Sequence, residues 1–272
     1  MASRKEQKEA ARQRRLEEER LRAEQARRNR RLQMLGGMAI VVVAVIVVVF
    51  AISSGGGGGL QRGKQATVTE KQVESLLAGI PQTGRTLGNP SAPVTMTYFG
   101  DLECPICRAF TLGDDGSGFP QLVANEVKTG KVKVVYKSFC TATCNGPGQS
   151  VFTEQQSAAY AAAEQNKFWD FAELFYREQG TEDTDYVNAH YLDTLAEQTP
   201  GLDLNAWQSA RSAYSLATQV AADENAGTAA GVTGTPTLFV KGPKGSQTQV
   251  PDDAGAPGAT YSELQQAIAQ VS

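Results

Sequence analysis

Histidine is nearly missing from this chain: the one copy, His190, lies in a helix-patterned stretch and reads as a helix-surface residue, not a catalyst. Cysteine is scarce as well, with four in 272 residues. The roughly 210 residues beyond the N-terminal segment can bury an apolar interior without crosslinks, since about 70% of the unfolded surface disappears at such lengths. A strong overall charge is also lacking, at -3. That balance hides two opposite parts: residues 1–33 carry twelve Lys and Arg against six Glu, hence +6, and the remainder carries 14 basic and 23 acidic residues, hence -9. Such asymmetry is a topology clue and not a nucleic-acid signal, so no nucleic-acid partner is expected.

What the chain does have is one long apolar run. Residues 34–52, from Met34 to Ile52, are nineteen consecutive uncharged residues, about 28 Å as a helix at 1.5 Å per residue. That length spans a bilayer's hydrocarbon core, where the backbone must satisfy its own hydrogen bonds and a helix is the natural solution. Arg27, Arg28, Arg30 and Arg31 precede it, which by the positive-inside bias keeps the N-terminus cytoplasmic and the C-terminal part extracytoplasmic. Ala51-Ile52-Ser53 has small residues suited to cleavage, but the run exceeds a signal-peptide h-region and the basic segment is too long, so an uncleaved single-pass signal anchor in the cell membrane is expected.

Four segments follow from composition. Residues 1–33 are a basic cytoplasmic tail of helical composition with leucines too sparse for a heptad seam. Residues 34–52 are the transmembrane anchor, and 53–66, with Gly55 to Gly59, a flexible tether. Residues 67–272 form the outer domain. Thr69-Glu70-Lys71-Gln72 resembles a capping box opening a helix through Leu77. Residues 94–100 alternate as a strand and 131–139 as a second, with a helix-compatible stretch between them that breaks at Gly113 to Gly118. This βαβ order is parallel and right-handed by default. A helical block, about 151–228, precedes strands at 236–240 and 247–250 and a last helix from Ser262 to Val271. The order describes an α/β thioredoxin-like fold with a helical insertion, preceded by a single transmembrane helix.

Cys104-Pro105-Ile106-Cys107 falls at the first strand-to-helix junction. Metal sites share the CxxC spacing, but that position favours thiol redox chemistry. A helix N-terminus favours a thiolate through free N–H groups and the helix dipole, and Pro105 suits the first turn. Cys104 is therefore expected as the nucleophile and Cys107 as its buried partner. Glu103 is either an exposed strand-end acid or a carboxylate moving protons for Cys107, and Asp101 carries the same ambiguity. Cys140 and Cys144, at CxxxC spacing, are a local structural disulfide, a second redox pair relaying electrons, or unpaired thiols. Trp169 with Phe168, Phe171, Phe175 and Tyr176 reads as helix core, with a peptide groove as the lesser reading.

The stretches Tyr98-Phe99-Gly100-Asp101-Leu102-Glu103-Cys104-Pro105-Ile106-Cys107 and Gly231-Val232-Thr233-Gly234-Thr235-Pro236-Thr237-Leu238-Phe239-Val240 resemble those of membrane-anchored bacterial DsbA-type thiol:disulfide oxidoreductases, and residues 79–93 resemble that group's lead-in strand. Together they bracket nearly the whole outer domain. The resemblance implies a cis proline at Pro236, with Thr235 and Pro236 facing the CxxC and binding substrate. It implies exported protein thiols as substrates, no cofactor or resident metal, and a quinone-linked reoxidase that is DsbB-like or vitamin K epoxide reductase-like. Ile106 departs from strongly oxidising members, which place His there, and points to a weaker oxidant. Introduction of disulfides is the leading expectation. The alternatives are reductase or isomerase activity on the same fold, and a four-cysteine zinc module of Cys104, Cys107, Cys140 and Cys144, whose spacing is off.

Overall fold

The computed structural model describes residue 60 and residues 64–145, 151–181, 184–250 and 257–272. The basic tail 1–33, the apolar run 34–52 and most of the tether lie outside the described residues, so the anchor falls there too. Among the described residues no helix is long and apolar enough to cross a membrane.

Strand β3 (Val94–Gly100) runs parallel to β4 (Val132–Ser138), with Val94 paired to Val132 and Gly100 to Ser138. On the other side β3 is antiparallel to β5 (Thr237–Gly242), which pairs with β6 (Gly245–Gln249). A lead-in hairpin of β1 (Gln82–Thr83) and β2 (Thr86–Leu87) extends the edge beyond β4, giving the order β1-β2-β4-β3-β5-β6. The two extra strands are two residues each, too short and polar to register as a period-2 pattern. Gly84, at φ 55, makes the tight turn between them.

Between β3 and β4 the chain forms α2 (Pro105–Leu112) and α3 (Phe119–Leu122), the latter passing into a π turn over Val123–Val127. Gly113 ends α2 at φ 80, in the region glycine enters without penalty. The helix before the sheet, α1 (Lys64–Leu77), begins five residues ahead of the expected Thr69 start and inside the segment read as tether. Thr69 is not a cap; its hydroxyl donates back to the Gln65 carbonyl, 3.2 Å away, as mid-helix threonines do.

The insertion is helical as expected: after the short α4 (Ala142–Asn145) come α5 (Phe152–Ala163), α6 (Phe168–Arg177), α7 (Ala189–Gln198), α8 (Leu204–Ala210) and α9 (Tyr214–Ala229). The run through 157–179 is two helices, because Asn166 adopts φ 58 and turns the chain. Asn188 caps α7 by accepting from Tyr191 N, and Asp203 caps α8. The closing helix α10 (Tyr261–Val271) starts with a reciprocal capping box between Thr260 and Glu263.

The sheet and the insertion share one core. Tyr98 of β3 lies edge-on to Phe110 of α2 and to Tyr136 of β4, and Trp169 of α6 stacks on Phe119 at 5.6 Å. Phe168, Trp169, Phe171, Phe175 and Tyr176 are all buried, which removes the groove reading of that aromatic run. The Trp169 indole also donates to the Arg85 carbonyl at 3.1 Å, tying the hairpin to the insertion. Trp169→Ala is expected to cost about 3–5 kcal/mol, the usual range for emptying a buried aromatic site. Urea unfolding followed by circular dichroism checks this, and a cost under about 1 kcal/mol would contradict the assigned packing.

Candidate active site

Strand β3 ends at Gly100 and α2 begins at Pro105, so the chain must turn within four residues. Cys104 is the N-cap of α2: its backbone is extended (φ -70, ψ 120), its carbonyl accepts from Arg108 N at 3.0 Å, and its Sγ accepts from Cys107 N at 3.4 Å. A sulfur here replaces the usual Ser or Asp oxygen at a helix start, so capping and thiolate stabilisation are the same contact. Gln179, just past α6, holds the turn from outside: its amide donates to Leu102 O at 2.7 Å and to Cys104 O at 3.2 Å.

Facing the sulfur is the loop before β5. The Thr235-Pro236 bond is cis, and the Thr235 carbonyl lies 3.3 Å from Cys104 Sγ. Cys104 is 5% exposed and Cys107 fully buried, while Ile106 between them is 44% exposed.

The two thiols differ in acidity. Cys104 is drawn down to about 7, first by the Cys107 thiol and then by the Thr235 hydroxyl and the Cys107 backbone N–H, against desolvation and the charge of Asp101. Cys107 is pushed well up, first by burial and then by hydrogen bonding and charge repulsion from Cys104. Its surroundings are phenolic: Tyr98 donates to the Cys107 carbonyl at 3.4 Å, and Tyr98, Tyr136 and Tyr176 all have pKa values raised by burial. Those phenols stay neutral, so none can neutralise a Cys107 thiolate.

Glu103 is not an exposed strand-end acid. It is 7% exposed, with Oε2 lacking a partner among the described residues, and burial pushes its carboxyl up to about 7 despite help from Thr143 and Gln155. Asp101 is fully buried but saturated with donors: Oδ1 accepts from Glu103 N at 3.1 Å and from the Thr143 hydroxyl, and Oδ2 from Thr141 N at 2.8 Å and Thr143 N at 3.0 Å.

The Thr141 and Thr143 donors belong to the turn between Cys140 and Cys144, which are joined as a disulfide with Cα atoms 5.7 Å apart. The zinc module is thereby corrected, because two of its four ligands are consumed in that bond. Among the described residues no cluster of three or more His, Cys, Asp and Glu is arranged to hold a metal. Thr141, Thr143, Gln155 and Gln179 went unnoticed in sequence. The threonines directly after a strand, at the start of a helical turn, are the one signal that marked them. His190 is exposed on α7.

A family profile described as thioredoxin matches residues 81–256, well over half of the chain. The chain belongs to this thioredoxin family. Disulfide bond formation protein D of Bacillus subtilis (strain 168) is 28% identical over 159 residues, covering 57% of this chain and 66% of that protein. The probable disulfide bond formation protein D of Bacillus anthracis is 25% identical over 161 residues, 59% of this chain and 70% of that one. This chain thus spans about two thirds of the length of these curated relatives. Among solved structures, oxidised BdbD from Bacillus subtilis superposes with a TM-score of 0.55 at 24% identity, covering 71% of this chain and 95% of that one. The α-DsbA1 of Wolbachia pipientis gives 0.53 at 16% identity, with 69% and 89% covered. These structures share the fold. With the paired thiols at a helix start, the family match makes this chain a thiol:disulfide oxidoreductase.

Two outcomes follow from the acidities. Alkylation of the reduced protein by iodoacetamide is expected at Cys104 and not Cys107, with a rate that rises through about pH 7 and levels off about a unit above; a midpoint near 9 would contradict the assigned environment. For Glu103 the folded pKa is raised above its unfolded value of 4.5 to about 7. The folded state then binds the extra proton, so its contribution is fully present below 4.5 and is lost as pH rises through about 7. Glu103→Gln should therefore raise Tm more at pH 8 than at pH 5, measured by thermal melts.

Proposed function

We propose that this protein is a membrane-tethered, extracytoplasmic dithiol oxidase that introduces disulfides into exported proteins by exchange at Cys104 and Cys107. The observation supporting it most directly is geometric: Cys104 Sγ caps α2 by accepting from Cys107 N at 3.4 Å and faces the cis Thr235-Pro236 peptide, whose Thr235 carbonyl is 3.3 Å away, while Cys107 is fully buried behind it. In the working direction a substrate thiolate attacks Cys104 Sγ of the Cys104–Cys107 disulfide. The S–S bond breaks, a mixed disulfide forms, and Cys107 leaves and takes up a proton. A second substrate thiolate then attacks the substrate sulfur, expelling Cys104 as a thiolate. The substrate dithiol is oxidised by two electrons and the Cys104–Cys107 disulfide is reduced by two.

Each residue has a part in this reading. Cys104 is the sulfur attacked and then the leaving group, and the nucleophile when the reduced pair is reoxidised, with the capping N–H of Cys107 helping to carry its charge. Cys107 needs a proton on release, and Glu103, with its carboxyl near 7 and one oxygen unpartnered among the described residues, is the group suited to hand protons in and out. Thr235 and Pro236 present the peptide face against which a substrate strand lies. The reduced enzyme must pass two electrons onward, and a quinone-linked membrane protein, DsbB-like or vitamin K epoxide reductase-like, fits an enzyme held at the membrane by residues 34–52.

The reduction potential decides the direction. On the full chain in detergent, equilibrated with glutathione, a value above about -200 mV is expected; one near about -270 mV would make the protein a reductase. Cys104→Ser should abolish oxidation of a dithiol peptide. Glu103→Gln should slow it and remove the bend near pH 7 in its rate profile.

A further inference from the structure

The end of α6 supplies hydrogen-bond donors to the turn that carries the reactive sulfur. Gln179 lies two residues past Arg177, the last residue of α6, and its one amide nitrogen reaches two carbonyls, Leu102 O at 2.7 Å and Cys104 O at 3.2 Å. A side-chain amide has two protons on that nitrogen, so both bonds form at once. The Tyr176 hydroxyl of α6 donates to a third carbonyl of the same turn, Asp101 O, at 3.4 Å. Cys104 O is also the first acceptor of α2, bonded by Arg108 N at 3.0 Å. The insertion and the start of the active-site helix therefore meet on one oxygen.

Gln179 is itself held from behind. Glu178 N closes α6 on Leu174 O at 2.9 Å, and the Glu178 carbonyl accepts from the Tyr191 hydroxyl of α7 at 3.1 Å. On the other side is Gly180, where a Cβ would stand 2.6 Å from the buried ring of Tyr186, so glycine is what lets that ring lie on the chain. Tyr186 in turn meets Tyr191 edge-on at 5.2 Å. A long side chain loses rotamer freedom when it is fixed, and here the backbone that presents it is already ordered at both neighbours.

We propose that Gln179 is a positioning residue for the nucleophile: its amide holds the backbone from Leu102 to Cys104, and with it the extended conformation from which Cys104 Sγ accepts the Cys107 N–H. The two bonded peptide planes flank Glu103 and Cys104, so one nitrogen gripping both constrains the dihedrals of these two residues. An N-cap must stay out of the helical region while its carbonyl already accepts the first helical bond. Cys104, at φ -70 and ψ 120, meets that condition with Gln179 on the same carbonyl.

This arrangement rests on Cys104 being the reacting sulfur and holds whichever way electrons flow, so a low reduction potential defeats the oxidase reading and leaves it intact. The titratable groups bearing on Cys104 are Cys107 of α2 and Asp101 and Glu103 of the loop after β3. Those around Gln179 are Glu178 beside it, Tyr176 of α6, Tyr186 and Tyr191 of α7. Gln179→Met alters none of them.

The test is the pH profile of Cys104 alkylation by iodoacetamide on the reduced full chain in detergent, read by peptide mass. Gln179→Met keeps the side chain's length and removes its donors. Its midpoint should move upward, with roughly twofold less thiolate at pH 7, a fraction of the net worth of two hydrogen bonds. Gln179→Glu keeps the shape and, once ionised, only accepts, so it should move the midpoint the same way and further. Amide hydrogen exchange of the peptide carrying Cys107 and Arg108 should quicken in both. Asn188→Ala, which removes the cap of α7 without touching the turn, should leave midpoint and exchange at wild type. With wild-type circular dichroism, an unmoved midpoint or unchanged exchange in Gln179→Met overturns the proposal; should that variant not fold, the same result in Gln179→Glu does so. An Asn188→Ala shift as large as that of Gln179→Met also overturns it, by making the effect one of insertion stability. A wild-type midpoint near 9 would defeat the thiolate reading of Cys104, and the shift from wild type to variant still decides the part of Gln179.

Discussion

Cys104 caps its own helix, and nearly everything else at this site follows from that contact. A helix start leaves N–H groups without partners, and folding must satisfy them. Here the group that satisfies one of them is also the reactive atom, so the contact that stabilises α2 adds to what the Cys107 thiol and the Thr235 hydroxyl do in drawing down the pKa of the sulfur. Pro105 fits because the first turn loses no donor to it. Gln179 and Asp101 then hold the four-residue turn from opposite sides, fixing where β3 delivers the cap.

The second constraint is the difference between two sulfurs three residues apart. Cys107 is carried by α2 into a wall of neutral phenols, whereas Cys104 stays at the rim beside Thr235. Burial without a counter-charge keeps the inner sulfur protonated, and converging donors do the reverse for the outer one. Stabilising one thiolate stabilises the reduced form, which pushes the pair toward oxidising behaviour. The negative charge of Asp101 opposes that, and its five protein donors keep the opposition bounded.

Much of this was legible in the chain itself. The CxxC at a strand-to-helix junction, the parallel βαβ unit, the helical block and the cis peptide at Thr235-Pro236 all appeared where periodicity and family resemblance put them. What escaped was of two kinds. Contacts between distant residues leave no local trace: Asp101 meets Thr141 and Thr143 across about forty positions, and neither partner advertises the other. Short elements fail for a different reason, since β1 and β2 are too brief to show a period, and the Ala-rich run at 157–163 gave no stop signal beyond Asn166. The burial of Glu103 was hidden likewise, because a charged residue before a helix looks like any surface acid until the insertion folds over it.

The pairing of β5 with β3 joins Thr95 to Lys241, with the whole insertion between them. A chain made from its N-terminus therefore exposes Cys104 well before the loop that faces it has been synthesised. Closing so long a separation is entropically slow compared with forming α2 or the helical block. During that interval the sulfur stands capped but unscreened, without the Thr235 carbonyl beside it.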